Sequence, residues 1–137
     1  MHQKFEWILY LDLAKKLLTL ISSDQELKTN ENIKEAYYRT VISRAYYAAF
    51  CTARNYLRDT LNLTINKVDV HSFVINEFKE QRSLKKSHNI SSTLHSLRSY
   101  RNMADYDDDI RKIRLDAIAQ HAVKESQRVI DLISELS

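Results

Sequence analysis

The spacing of apolar residues predicts helices along almost the whole chain. From about Gln3 to Ile21, the residues Trp7, Leu11, Ala14, Leu18 and Ile21 recur at steps of four and three, which is one face of a helix. Leu13, Leu17 and Leu20 widen that face into a broad arc expected to be buried. Ser22-Ser23-Asp24 ends the element. A second helix begins after Asn30, a residue suited to N-capping, with Glu31 in the first turn where the helix dipole favours an acid. It is expected to run unbroken to about Leu61, roughly 45 Å at the usual rise per residue. Ala45, Ala49 and Ala53 form a small-residue seam, Tyr37, Val41 and Ala48 lie on one flank, and Phe50 with Leu57 lies on another. A helix apolar on several sides belongs at the centre.

Beyond it, Asn62 to Asn66 reads as a loop, and Asp69 caps a short helix through His71, Val74, Ile75 and Phe78. The polar, basic stretch from Lys79 to His88 reads mainly as a solvated loop, with nucleic-acid contact as the lesser alternative. A fourth helix spans about Ile90 to Tyr106, and Asp107-Asp108-Asp109 breaks the pattern and is expected to cap the next helix. In the last helix Leu115, Ile118, Ala119, Ala122, Val129, Ile130, Ile133 and Leu136 share a stripe that only Ser126 interrupts. The expected fold is all-α: an up-and-down bundle of four to five helices with a long central second helix, forming one domain over residues 1–137.

Composition supports helices independently. The 137 residues include no glycine and no proline, where average usage predicts roughly sixteen of the two together. Tight hairpins draw mostly on glycine or asparagine for positive φ, so a many-stranded antiparallel sheet is disfavoured. A net charge of +3 permits nucleic-acid contact without demanding it. Cys51 is the only cysteine, which excludes a disulfide framework and a cysteine-based zinc site and fits a cytoplasmic protein. Asp12, Lys15 and Lys16 interrupt the N-terminal apolar run, arguing against a signal peptide or membrane span.

Candidate chemistry centres on Arg101-Asn102-Met103-Ala104-Asp105-Tyr106-Asp107. Ile90, Leu94, Leu97, Arg101 and Ala104 step along one stripe, so the Arg101 guanidinium points inward and needs a carboxylate, a partner subunit or a ligand phosphate. Asp105 is in reach one turn on, and Tyr106 projects from the neighbouring edge. Ser43 and Arg44 interrupt the apolar second helix; they either fix helix register by hydrogen bonding or, with Tyr47, line the pocket of Arg101. Tyr37, Tyr38, Tyr46, Tyr47 and Tyr56 suit a core or an interface better than a base-stacking platform. His71 is read as capping or packing in preference to a catalytic role, and His95 as structural or exposed. The aspartates 107–109 do not converge on one helix face, so no metal site and no cofactor are expected.

The run from Tyr38 to Arg54, centred on Ser43-Arg44-Ala45-Tyr46-Tyr47-Ala48-Ala49-Phe50, followed by Arg101 to Asp107, resembles the HEPN-domain family. It is most similar to the small stand-alone branch whose motif ends in Ala-Asp-Tyr. The resemblance implies a helical bundle that commonly dimerises. It also implies metal-independent ribonuclease or RNA- and nucleotide-binding activity, often as a toxin paired with an MNT-type nucleotidyltransferase. The family's signature is an arginine, four to six residues, then a histidine. Arg101 and the polar Asn102 match its start, whereas Tyr106 occupies the histidine's place. A phenol of pKa about 10 is a poorer general base than an imidazole near 6.5. Arg82 with His88 and Arg114 with His121 also fit the spacing, at a frequency chance alone supplies.

The resemblance thus nominates Arg101, Asn102, Asp105 and Tyr106 as catalytic residues and Arg44 and Tyr47 as RNA- or nucleotide-binding ones. Tyr106 is also the candidate for adenylylation. The expected partners are RNA, with tRNA a candidate, a second copy of the chain and the nucleotidyltransferase. Two other functions fit the sequence: a non-catalytic or nucleotide-binding subunit of that transferase, and a structural helical module in which Arg101 and Asp105 pair internally.

Overall fold

A computed structural model describes residues 4–110 and 113–136. Among them the regular elements are all helical: α1 (Ile8–Ser23), α2 (Gln25–Thr29), α3 (Glu31–Asn55), α4 (Val70–Glu80), α5 (Ser87–Tyr106) and α6 (Leu115–Glu135). Helix α3 is the core of the bundle and packs against all five others. Its buried residues run almost continuously from Val41 to Ala53, and the seam residues Ala45, Ala49 and Ala53 are fully covered. Small side chains there let neighbouring helices approach closely.

Local chemistry sets the helix ends. Asp24 accepts from the backbone N–H groups of Glu26 and Leu27, starting α2 directly after α1, a short helix that the apolar periodicity does not reveal. Asn30 accepts from the Ile33 N–H and Asp69 from the Ser72 N–H, as expected of N-caps. The central helix is not uniformly α-helical to Leu61. Tyr56–Thr60 form a π-helical turn in which the Leu61 N–H donates to the Tyr56 carbonyl at 3.2 Å. This wider turn keeps Tyr56 and Leu57 buried before the chain reverses at Asn62.

Three further expectations change. Gln3 lies outside the described residues, and α1 begins at Ile8. Lys79 and Glu80 complete α4 and Ser87 opens α5, so the basic loop shrinks to a short link. The aspartate run does not cap the last helix: Asp107 is the C-cap position of α5, and α6 starts after Arg114 without a side-chain cap. The arc of α1 is also narrower than its composition suggests. Leu11, Ala14 and Ile21 are buried, but Leu13 and Leu20 are exposed, with Ile8 and Leu9 beside them. Helix α1 rests on α3 and α6 on one side, and nothing among the described residues covers the other.

The same packing carries the C-terminal half of α5 across the middle of α3. Ile90, Leu94, Leu97 and Ala104 are buried along one stripe, and Arg101 is buried with them. No described helix is long and apolar enough to cross a membrane.

Candidate functional site at the crossing of α3 and α5

Arg101 is only 6% exposed. Its Nη1 lies 3.9 Å from Asp105 Oδ2, an ion pair too long to be a hydrogen bond, and its Nε is buried with no partner among the described residues. Three tyrosine rings surround the guanidinium, with centroids 5.3 Å (Tyr46), 5.3 Å (Tyr47) and 5.9 Å (Tyr106) from its central carbon. Cation–π attraction offsets part of the cost of burial, yet the guanidinium keeps donors unused.

A polar chain joins this arginine to a second. Ser43 donates to Asp105 Oδ2 at 3.2 Å, and Arg44 Nη2 donates to Ser43 Oγ at 3.2 Å. Ser43 therefore does bridge α3 to α5. Arg44 also lies over the rings of Tyr10, at 4.7 Å, and Tyr47, at 5.2 Å, so both guanidiniums meet on Tyr47. A cleft of about 410 Å³ opens beside them, lined by Arg39, Thr40, Ser43, Arg44, Ala104 and Asp105 among others. Arg39 shapes its rim: Nη1 donates to the carbonyls of Ala104 at 3.0 Å and Asp107 at 2.7 Å, satisfying the end of α5, while Nε donates to Glu35 at 3.1 Å.

The fold thus brings Arg101, Asp105, Tyr106, Arg44 and Tyr47 into one neighbourhood. Asn102 is exposed one step round α5, four residues before Tyr106 and so on the same edge of the helix. Tyr106 is 72% exposed, with its ring beside the Arg101 guanidinium. Of the chance spacings, His88 and His121 are exposed, as is His95.

Two residues outside the nominated set adjoin the cluster. His71, at the start of α4, stacks on Phe50 at 4.4 Å and has Nδ1 2.6 Å from the hydroxyl of fully buried Tyr46. Arg98, one turn before Arg101, donates to Ser72 Oγ at 3.1 Å, lies 3.8 Å from Asp69, and also has a buried Nε without a partner among the described residues. Burial, and then the charges of Arg101 and Arg98, hold the His71 imidazolium below the usual histidine range, against the opposing pull of Asp69. Burial raises the Tyr46 phenol, and only part of that rise is offset by the same two arginines. Burial likewise raises the Cys51 thiol, which makes it an unreactive packing residue. His71 is the one signal that pattern alone could have offered, since it precedes the inward-facing Val74, Ile75 and Phe78 by helical steps.

Among the described residues no cluster of three or more histidine, cysteine, aspartate or glutamate side chains is placed to hold a metal ion. The arrangement presents two guanidiniums, a carboxylate and stacked aromatic rings, a set suited to an anion carrying a planar group. No curated protein and no solved structure matches the chain. The HEPN domain family model matches residues 23–136, from the end of α1 through α6. The match takes in both the α3 segment and the Arg101 segment that form the cleft, and the chain belongs to the HEPN domain family.

Proposed function

We propose that this HEPN protein binds RNA at the Arg101 cleft, as the toxin-like member of a two-gene module of the small stand-alone HEPN branch, and cleaves it without a divalent metal. The observation that carries this reading is the buried guanidinium of Arg101, only loosely paired and with Nε unused. An arginine held at that cost is poised for a phosphate, which accepts paired N–H donors better than Asp105 does here. Arg44 adds a second positive charge, Asp105 orients the arginines, and the exposed ring of Tyr106 offers a stacking face for a base. Asn102, on the same edge of α5, is the further polar contact.

In a twofold dimer the same patch meets itself, so two copies of the cleft would flank one RNA strand. The test is incubation of the purified protein with total RNA and with tRNA in EDTA. Cleavage that persists in EDTA supports the proposal. Cleavage that needs added magnesium contradicts it.

The regulatory partner proposed is an MNT-type nucleotidyltransferase acting in the cytoplasm, with Tyr106 as the adenylylated residue. At 72% exposure Tyr106 is accessible to a transferase, and its ring sits over Arg101. A phosphodiester on that hydroxyl would put negative charge where the RNA phosphate binds. Mass spectrometry after co-expression should find the adduct on Tyr106; an unmodified Tyr106 would refute this mechanism. A non-catalytic subunit of the transferase is the alternative, favoured by the tyrosine that stands where the family's histidine belongs.

A further inference from the structure

We propose that His71, from a different helix, supplies the imidazole of the Arg101 site, with its tautomer set by Tyr46 and its Nε2–H donating to the sugar–phosphate backbone held by Arg101. This inference rests on the reading of the cleft as an RNA site. Its starting point is the 2.6 Å contact between the Tyr46 hydroxyl and His71 Nδ1. Tyr46 is fully buried and makes no other side-chain hydrogen bond among the described residues, so its O–H has this one place to go. Donation to Nδ1 leaves the ring proton on Nε2. That nitrogen makes no bond within the described residues and is not among the buried polar atoms, and His71 itself is partly exposed.

The ring cannot readily turn to a different arrangement. It stacks on Phe50 at 4.4 Å and on Tyr46 at 5.6 Å, and meets Tyr47 edge-on at 6.2 Å. Tyr46 and Tyr47 are also the two rings nearest the Arg101 guanidinium. The histidine and the arginine are therefore held against the same pair of aromatic side chains, from α4 and α5 respectively.

The groups around the ring keep it uncharged. Arg98 and Arg101 face it from α5, Asp69 from the α4 cap, and Tyr46 and Tyr47 from α3. Protonation at Nδ1 would add a charge beside two arginines and leave the buried Tyr46 hydroxyl without an acceptor. The contact with Tyr46 thus favours the neutral ring with its proton on Nε2, free to donate.

The test is fluorescence polarisation of a labelled, single-stranded 2′-O-methyl RNA, which cannot be cleaved through its 2′-hydroxyl, with wild type, Arg101→Ala, His71→Ala and His71→Gln. Loss of one hydrogen bond to a charged group predicts that His71→Ala weakens binding about tenfold. His71→Gln should stay within about twofold of wild type, because its amide N–H lies where Nε2–H was. Two-bond ¹⁵N–¹H NMR on the unmodified protein should show the Nε2–H tautomer at pH 7. Tyr46→Phe should mix the tautomers and raise the pKa of His71.

If Arg101→Ala weakens binding while His71→Ala does not, the cleft is the RNA site and His71 has no part in it. If neither variant changes binding, the cleft reading itself fails and this inference fails with it. A Gln variant as weak as Ala, or an Nδ1–H tautomer in the wild type, overturns the proposal even where His71→Ala does not fold.

Discussion

Arg101 is held in a position that costs the protein stability. Taking a guanidinium out of water costs several kcal/mol, and an ion pair of 3.9 Å to a carboxylate that is itself 28% exposed returns only part of it. A purely structural pair and a ligand-binding arginine therefore predict opposite outcomes for Arg101→Met, which keeps the volume and removes the charge. As a ligand site, the variant should be as stable as wild type or about 1 kcal/mol more stable, since the Asp105 left behind keeps its Ser43 bond and reaches solvent. Urea unfolding decides between them; a loss of about 3 kcal/mol or more would mark an internal structural pair. Ser126 makes the contrast clear. It is fully buried in α6, is uncharged, and its hydroxyl has no partner among the described residues. Ser126→Ala should add about 1 kcal/mol of stability in the same measurement.

At the level of the element, a chain without glycine must use other residues where the backbone turns left-handed. Asn62 does so at φ 57°, a conformation asparagine tolerates, and Lys86 does so at φ 57° immediately before α5. Lysine has no such tolerance. Lys86→Gly should therefore stabilise the fold by roughly 0.5–1 kcal/mol, the conformational relief exceeding the entropy glycine adds to the unfolded chain. A lower melting temperature for this variant would contradict the assignment of strain to α5's start. Periodicity made the long helices legible, because α3, α5 and α6 bury most of the residues their stripes mark, with Tyr37, Leu115, Ile118 and Leu136 half-buried. It could not show that only one side of α1 is covered, since Leu13 and Leu20 are as apolar as Leu11. Nor does it detect a five-residue helix such as α2, too short to complete a stripe, or a π turn that keeps the same residues buried as an α turn would.

For the molecule as a whole, the sequence marked the half of the site that lies on single helices. The inward course of Arg101, its pairing with Asp105 and the place of Tyr106 all follow from spacing along α5. Contacts between residues far apart in the chain do not. Arg39 reaches the carbonyls that end α5, Ser43 reaches Asp105, and His71 reaches Tyr46 only because α3 sits at the centre of the bundle and each other helix touches it. Arg101 therefore lies beside a cleft to which α3 brings Arg44, with the rings of Tyr46 and Tyr47 from α3 against its guanidinium and His71 from α4 against those same rings. On the reading proposed above, such a site would take an anion that reaches Arg101 and carries a flat group able to stack beside it.

The sharpest comparison sets wild type against Arg101→Met on one RNA substrate, in EDTA, with both proteins verified as folded. Wild type should retain and cleave the RNA, and the variant, equally stable, should lose affinity by about tenfold or more along with cleavage. A variant that binds and cuts as wild type does would place the RNA elsewhere on the molecule and reduce Arg101 to a packing residue.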